Sequence, residues 1–144
     1  MNDEFLQWLR KQLDDDEQKA FAAGDTPGER MLLRWTAVGS AVEVDGMRST
    51  GQLPVVTNRS MEGMPGYALE RARALHIENH DPDRVMGEVA AKRKIIARYE
   101  QAQQLSESGA GNSAEAMRAG LLYCLMAHAT VYEDRPGYRD EWRP

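Results

Sequence analysis

Cysteine is nearly absent from this chain. Cys124 is the only one in 144 residues, so no intrachain disulfide can form and the expected setting is reducing and cytoplasmic. Long apolar runs are missing too. No stretch approaches the roughly 20 consecutive apolar residues that a membrane span requires. The opening MNDEFLQWLR is acidic and amphipathic, with neither a basic leader nor a continuous apolar core, and does not read as a signal peptide. An excess of positive charge is lacking as well. With 28% charged residues and a formal net charge of -5, indiscriminate binding to polyanions is disfavoured, and any nucleic-acid site has to be a local patch.

The usual signatures of catalysis are also missing. There is no phosphate-cradling glycine loop, no serine-histidine-acid arrangement and no helix with a zinc-protease spacing. Internal repeats are absent. The length suits one domain with a hydrophobic core over residues 1–144 and is short for two ordinary domains.

What is present reads mainly as helix. Phe5, Leu6, Leu9, Leu13, Ala20 and Phe21 recur at steps of three and four, predicting a helix over residues 1–23 with one buried face. The acidic run DDDE, Asp14 to Glu17, marks its solvated side, with a site for a basic partner as the alternative. GDTPGE then stops the helix. Between residues 32 and 58 the period changes. The Trp35 to Val44 region and LPVVTN are β-rich and carry the turn signals Gly39-Ser40 and Asp45-Gly46, which predicts a three-stranded antiparallel meander. A sheet that small needs helices to cover it. Two helices are expected over 65–104, joined at 80–82, the first presenting Ala68, Ala72, Leu75 and His76 along one stripe. SESGAGNS is a linker, and Asn112 with Glu115 resembles a capping box that opens a last helix over 112–130. That helix is apolar around most of its circumference from Leu121 to Ala129 and is expected in the core or at a subunit interface, with a homodimer as one outcome.

Three groups of residues can carry chemistry. His76 and His80 stand four apart in HIENHDPDR, a spacing that presents two imidazoles to one metal ion on a helix. Cys124 and His128 repeat it, and the four together would close a zinc site. Against zinc, structural sites favour more cysteines, and Cys124 with His128 lies in a run expected to be buried with or without metal. Asp81 as a helix cap, Pro82 at the first helical position and Asp83 at the positive helix end explain the same stretch structurally. No cofactor is expected, with zinc as the alternative.

The second group is basic. Arg71, Arg73, Arg84, Lys92, Arg93, Lys94 and Arg98 crowd the two middle helices and can meet phosphates. Lys92 to Lys94 are consecutive, however, and spread around the helix as solvated residues do. The third is the ending, residues 131–144, where Tyr138 and Trp142 are interleaved with Arg139 and Arg143. Such aromatics either seal the protein's own core or anchor a partner.

Taken together, FLQWLRKQLDDDEQKA, HIENHDPDRVMGEVAAKRKII and YEDRPGYRDEWRP resemble a family of short, uncharacterised proteins of actinobacteria and their phages. The shared pattern is an acidic first helix, a Trp-led strand, a His-Ile-x-x-x-Asp-Pro-x-Arg-Val joint, a basic helix and a Tyr-Arg-x-Glu-Trp-Arg-Pro ending. Many relatives carry extra cysteines where this chain has QAQQLSESGAGNSAEAMRAG, which weakens a metal site carried over from them. The resemblance implies an α+β architecture and a phage or mobile-element setting, and supplies no catalytic residue.

The expected fold is therefore α+β, a small meander packed with about four helices. The expected function is a non-enzymatic protein-interaction module, in the manner of a phage accessory factor, binding an unidentified protein through Tyr138, Arg139, Trp142 and Arg143. A nucleic-acid-associated regulator using the basic helices is the alternative, and a small zinc-supported domain or metal hydrolase is the second alternative. No membrane partner is expected.

Overall fold

A computed structural model describes residues 2–24, 34–44, 60–109 and 111–144. The fold is α+β. Its elements are α1 (Asn2–Gly24), β1 (Trp35–Val38), β2 (Ala41–Val44), α2 (Tyr67–Glu78), α3 (Pro82–Glu107) and α4 (Asn112–Ala129), followed by 3-10 turns at Thr130–Tyr132 and Asp140–Trp142. The third strand expected at LPVVTN and the Asp45-Gly46 turn lie outside the described residues. The chain divides into two compact units, Met1–Asp15 with Glu88–Pro144, and Asp16–Gly87.

The first unit is built on apolar seams. Phe5, Leu6, Leu9 and Leu13 from α1 meet Val89, Ile96 and Tyr99 from α3 and Leu125 and Ala129 from α4 in one buried cluster that Tyr132 and Trp142 complete. Spacings of three and four residues put each set on one side of its helix, which is why these positions and not their neighbours are enclosed. Polar contacts fix the register at the rim. Asn2 Nδ2 donates to the Tyr99 hydroxyl at 3.0 Å, Arg93 pairs with Asp14 at 2.7 Å and Arg135 with Asp15 at 3.3 Å. Two members of the DDDE run thus serve as ion-pair partners within the fold.

The second unit is organised by polar side chains. β1 and β2 form an antiparallel hairpin with Trp35 opposite Val44 and Val38 opposite Ala41. Its two-residue turn has Gly39 at φ 61. A positive φ at the first turn residue only is the II′ geometry, whose twist suits a hairpin and which favours glycine there. Arg71 of α2 reaches over that turn and donates to the carbonyls of Gly39 at 2.9 Å and Ala37 at 3.4 Å. This corrects the expected orientation of α2. The enclosed side carries Tyr67, Arg71, Ala74 and Ile77, whereas Ala68, Ala72, Leu75 and His76 are exposed. The reason is physical: strands of four residues offer the helix turn carbonyls to satisfy more than apolar area to bury.

Asp81 does two jobs at the joint between α2 and α3. One carboxylate oxygen accepts the Arg84 backbone N–H at 2.8 Å, which makes it the cap of α3. The other accepts the Trp35 backbone N–H at 3.4 Å and so ties down the start of β1. Pro82 follows as the first residue of α3, where its missing N–H costs nothing. The far side of the joint is capped as well. His80 Nδ1 lies 2.8 Å from the His76 carbonyl and Arg84 Nη1 donates to the Asn79 carbonyl at 2.7 Å, satisfying acceptors that the end of α2 leaves without a helical partner.

Candidate functional site

The aromatic ending is spent inside the fold. Trp142 is 3% exposed, its ring 5.5 Å from Phe5 and 5.2 Å from Trp8. Its indole N–H has no hydrogen-bond partner among the described residues, so apolar packing holds it in place. Tyr138 is half-buried with its ring 5.5 Å from Trp8. Trp8 in turn donates its indole N–H to the Pro136 carbonyl at 3.0 Å. Arg139 lies over the Trp142 ring and pairs with Glu4 at 2.8 Å, and Arg143 pairs with Glu133 at 2.8 Å. Of the four residues expected to hold a partner, the two arginines are exposed and ion-paired within the chain.

The basic residues fall in different units. Arg71, Arg73 and Arg84 belong to one and Lys92, Arg93, Lys94 and Arg98 to the other. Arg71 and Arg84 are bound to backbone carbonyls, and Arg93 is bound to Asp14. Lys92 donates to the Tyr132 hydroxyl at 3.3 Å, and Arg98 donates to Gln101 at 3.0 Å. Arg73 and Lys94 are exposed.

His76 and His80 sit together, with ring centroids 4.3 Å apart. Cys124 and His128 lie in the other unit, and both are exposed, which corrects the expectation that their run is buried. Among the described residues no group of three or more His, Cys, Asp or Glu side chains is gathered so that it could hold a metal ion. An open groove of roughly 520 Å³ in the first unit is lined by Asp3, Gln7, Arg10, Glu100 and Glu107 among others, with Arg10 and Glu100 paired across it. Such a lining is far more polar than that of a typical small-molecule site.

The surface that stands out belongs to α4. Its buried side is narrow, consisting of Ala114, Leu125 and Ala129 with Leu121, Leu122 and Met126 half-buried. The opposite side is exposed yet uncharged. Met117 is 57% exposed, Tyr123 62% and Val131, in the turn that follows, 71%. Two columns run along this face at seven-residue spacing. Ser113, Gly120 and Ala127 form a column of small side chains, and Met117, Cys124 and Val131 form a column of larger ones. Alternate steps of four and three between the columns are the a/d repeat by which helices pack on helices. Sequence reading sees an all-round apolar helix here and misses the direction. The signal that reveals it is the small residue at every seventh position.

Glu115 lies at the N-terminal end of this helix. Its hydrogen bond with Arg118 (2.6 Å), then that from Ser106 (2.7 Å), holds its carboxyl below the usual carboxylate range. The reciprocal bond raises the Arg118 guanidinium. The expected capping box does not form: α4 starts from Gly111 without a side-chain cap. Glu115, engaged elsewhere, stays off the seam, and no formal charge lies in either column.

A sequence profile described as a family of unknown function (DUF6221) matches residues 2–144. No curated protein and no solved structure matches the chain. No described helix is long and apolar enough to cross a membrane.

Proposed function

The chain belongs to DUF6221, and we propose that it is a non-enzymatic interaction module, in keeping with a phage or mobile-element accessory role, whose working surface is the outward face of α4. The observation that carries the proposal is the exposed, uncharged a/d seam of Ser113, Met117, Gly120, Cys124, Ala127 and Val131. An apolar helix face left in water is a standing cost that a partner helix removes.

The occupant that fits is a second copy of the chain, laid antiparallel. Reversing the helix about Leu122 sets Met117 opposite Ala127, Cys124 opposite Gly120 and Val131 opposite Ser113. Each larger side chain then meets a small one. A parallel pair would set large against large and small against small, leaving gaps at alternate layers. The flanking positions Ala116, Leu121, Tyr123, His128 and Thr130 carry no carboxylate or guanidinium, so two chains of net charge -5 can approach along this face without like-charge contact.

Sedimentation velocity over a concentration series tests this. One helix pair buries less than a standard interface, so the dimer is expected to be reversible and to build up by about 100 µM. Gly120→Leu fills the central gap in the small column. A Cβ at Gly120 meets nothing within 4 Å, and leucine is a better helix former than glycine, so the fold should persist while the dimer is lost. Cys124→Glu should do the same by placing charge in the seam. A wild-type chain that stays monomeric throughout the series, or a Gly120→Leu variant that dimerises as well as wild type, overturns the reading.

A further inference from the structure

The joint after α2 contains one histidine more than its structural role uses. His80 closes the C-terminal end of α2 by placing Nδ1 at 2.8 Å from the His76 carbonyl. That bond accounts for His80 and for the backbone of His76. The His76 ring has no part in it, yet it lies with its centroid 4.3 Å from that of His80, the planes inclined by 36°. Both imidazoles are exposed.

The hydrogen bond also fixes which nitrogen of His80 is free. A carbonyl only accepts, so Nδ1 must carry the proton, and in the neutral ring the lone pair is then on Nε2. An imidazole whose one N–H is tied to a backbone carbonyl, with the other nitrogen open, is the arrangement found in histidine metal ligands, where the second bond orients the ring. Two nitrogens bound to one tetrahedral ion at about 2.05 Å are about 3.3 Å apart. Rings with centroids 4.3 Å apart can meet that spacing by side-chain rotation alone.

We propose that His76 and His80 form a two-ligand surface site for a divalent transition ion of the imidazole-preferring class, Zn(II) or Cu(II). The site uses residues of the α2–α3 joint only. Cys124 and His128 have no part in it, and the remaining coordination positions are open to solvent. Bridging positions 76 and 80 staples the last turn of α2 to the residue that precedes the α3 cap, so the ion stabilises the joint by binding the folded form.

The test is calorimetric titration of the tag-free full chain with ZnCl2, with CuCl2 titration followed by electron paramagnetic resonance for nitrogen hyperfine structure. His76→Gln is the discriminating variant, because it removes a ligand and leaves the His80 cap and the carbonyl it binds in place. The expected results are one ion per chain, affinity at least tenfold weaker in His76→Gln with an unchanged circular dichroism spectrum, and no change in Cys124→Ser or His128→Gln. Zinc should raise the melting temperature of wild type and leave that of His76→Gln where it was. Failure of wild type to bind either ion, undiminished binding by His76→Gln, or loss of binding on His128→Gln would overturn the proposal.

Discussion

The two units reach order by opposite means. In the unit Met1–Asp15 with Glu88–Pro144, helices close around Phe5, Leu9, Tyr99 and Leu125, and an aromatic strap seals the end with Trp142. In the unit Asp16–Gly87, the described hairpin and α2 enclose few large apolar side chains: Val42 and Ala74 are the buried hydrophobic residues of those elements, beside Ala20 of α1. Directed bonds from Arg71 and Asp81 set the geometry in their place. Dispersion and hydrophobic burial tolerate small displacements and scale with volume, whereas a hydrogen bond to a particular carbonyl is lost when one atom is removed. Substitutions that delete volume should therefore weigh most in the first unit, and substitutions that delete a polar atom most in the second.

The sharpest break in this comparison is Trp142→Ala. Truncating a buried Trp costs about 3–5 kcal/mol, so urea denaturation should show the largest loss of any single change named here. Trp142→Phe should cost far less, since it keeps a ring against Phe5 and Trp8 and removes an indole N–H that has no partner among the described residues. Next comes Asp81→Ala. It removes the α3 cap and the acceptor for the Trp35 N–H at once, and about 1–2 kcal/mol is expected, with faster hydrogen exchange at Trp35 and Arg84. Smaller again is Arg10→Ala. Its pair with Glu100 is 42% and 45% exposed, so a double-mutant cycle should give under about 1 kcal/mol.

The smallest effect concerns pH. Glu115 titrates below its ordinary value of 4.5 in the folded chain. A carboxyl with a depressed folded pKa binds protons more readily when unfolded, so the stability it supplies is complete above the ordinary range and is lost as pH falls through the folded value. Glu115→Gln should therefore lower stability slightly at neutral pH and flatten the acid side of the profile below about pH 4.5, the difference from wild type shrinking as pH falls. A difference that grows as the solution is acidified, or that is absent at pH 7 and present only in acid, would contradict the assignment.

How much of this was legible beforehand depended on how local the cause is. The joint at Asp81-Pro82 could be read directly, because capping and a first-turn proline act within a few residues. The seam of α1 from Phe5 to Leu13 could be read too, since its large apolar side chains repeat with one period, whereas Phe21, expected on the same buried face, is exposed. The orientation of α2 could not. Ala68, Ala72 and Leu75 make the better apolar stripe, and only the presence of the hairpin turn carbonyls favours the side bearing Arg71. The outward seam of α4 was hidden for a different reason. When apolar residues surround a helix, hydrophobicity carries no direction, and the information moves into side-chain size, where Ser113, Gly120 and Ala127 supply it.

The placement of the three tryptophans has an optical consequence. Trp8 and Trp142 lie 5.2 Å apart in the first unit, close enough for their transitions to couple, while Trp35 stands in the second. Undocking the terminal strap separates one indole of that pair from the other and leaves Trp35 in its own surroundings. In a Trp35→Phe chain, the tryptophan bands of the near-ultraviolet dichroism would report the Trp8–Trp142 pair and with it the strap. Trp8→Phe with Trp142→Phe would leave the emission of Trp35 to report the hairpin, so each half of the molecule carries an intrinsic dye for its own unfolding.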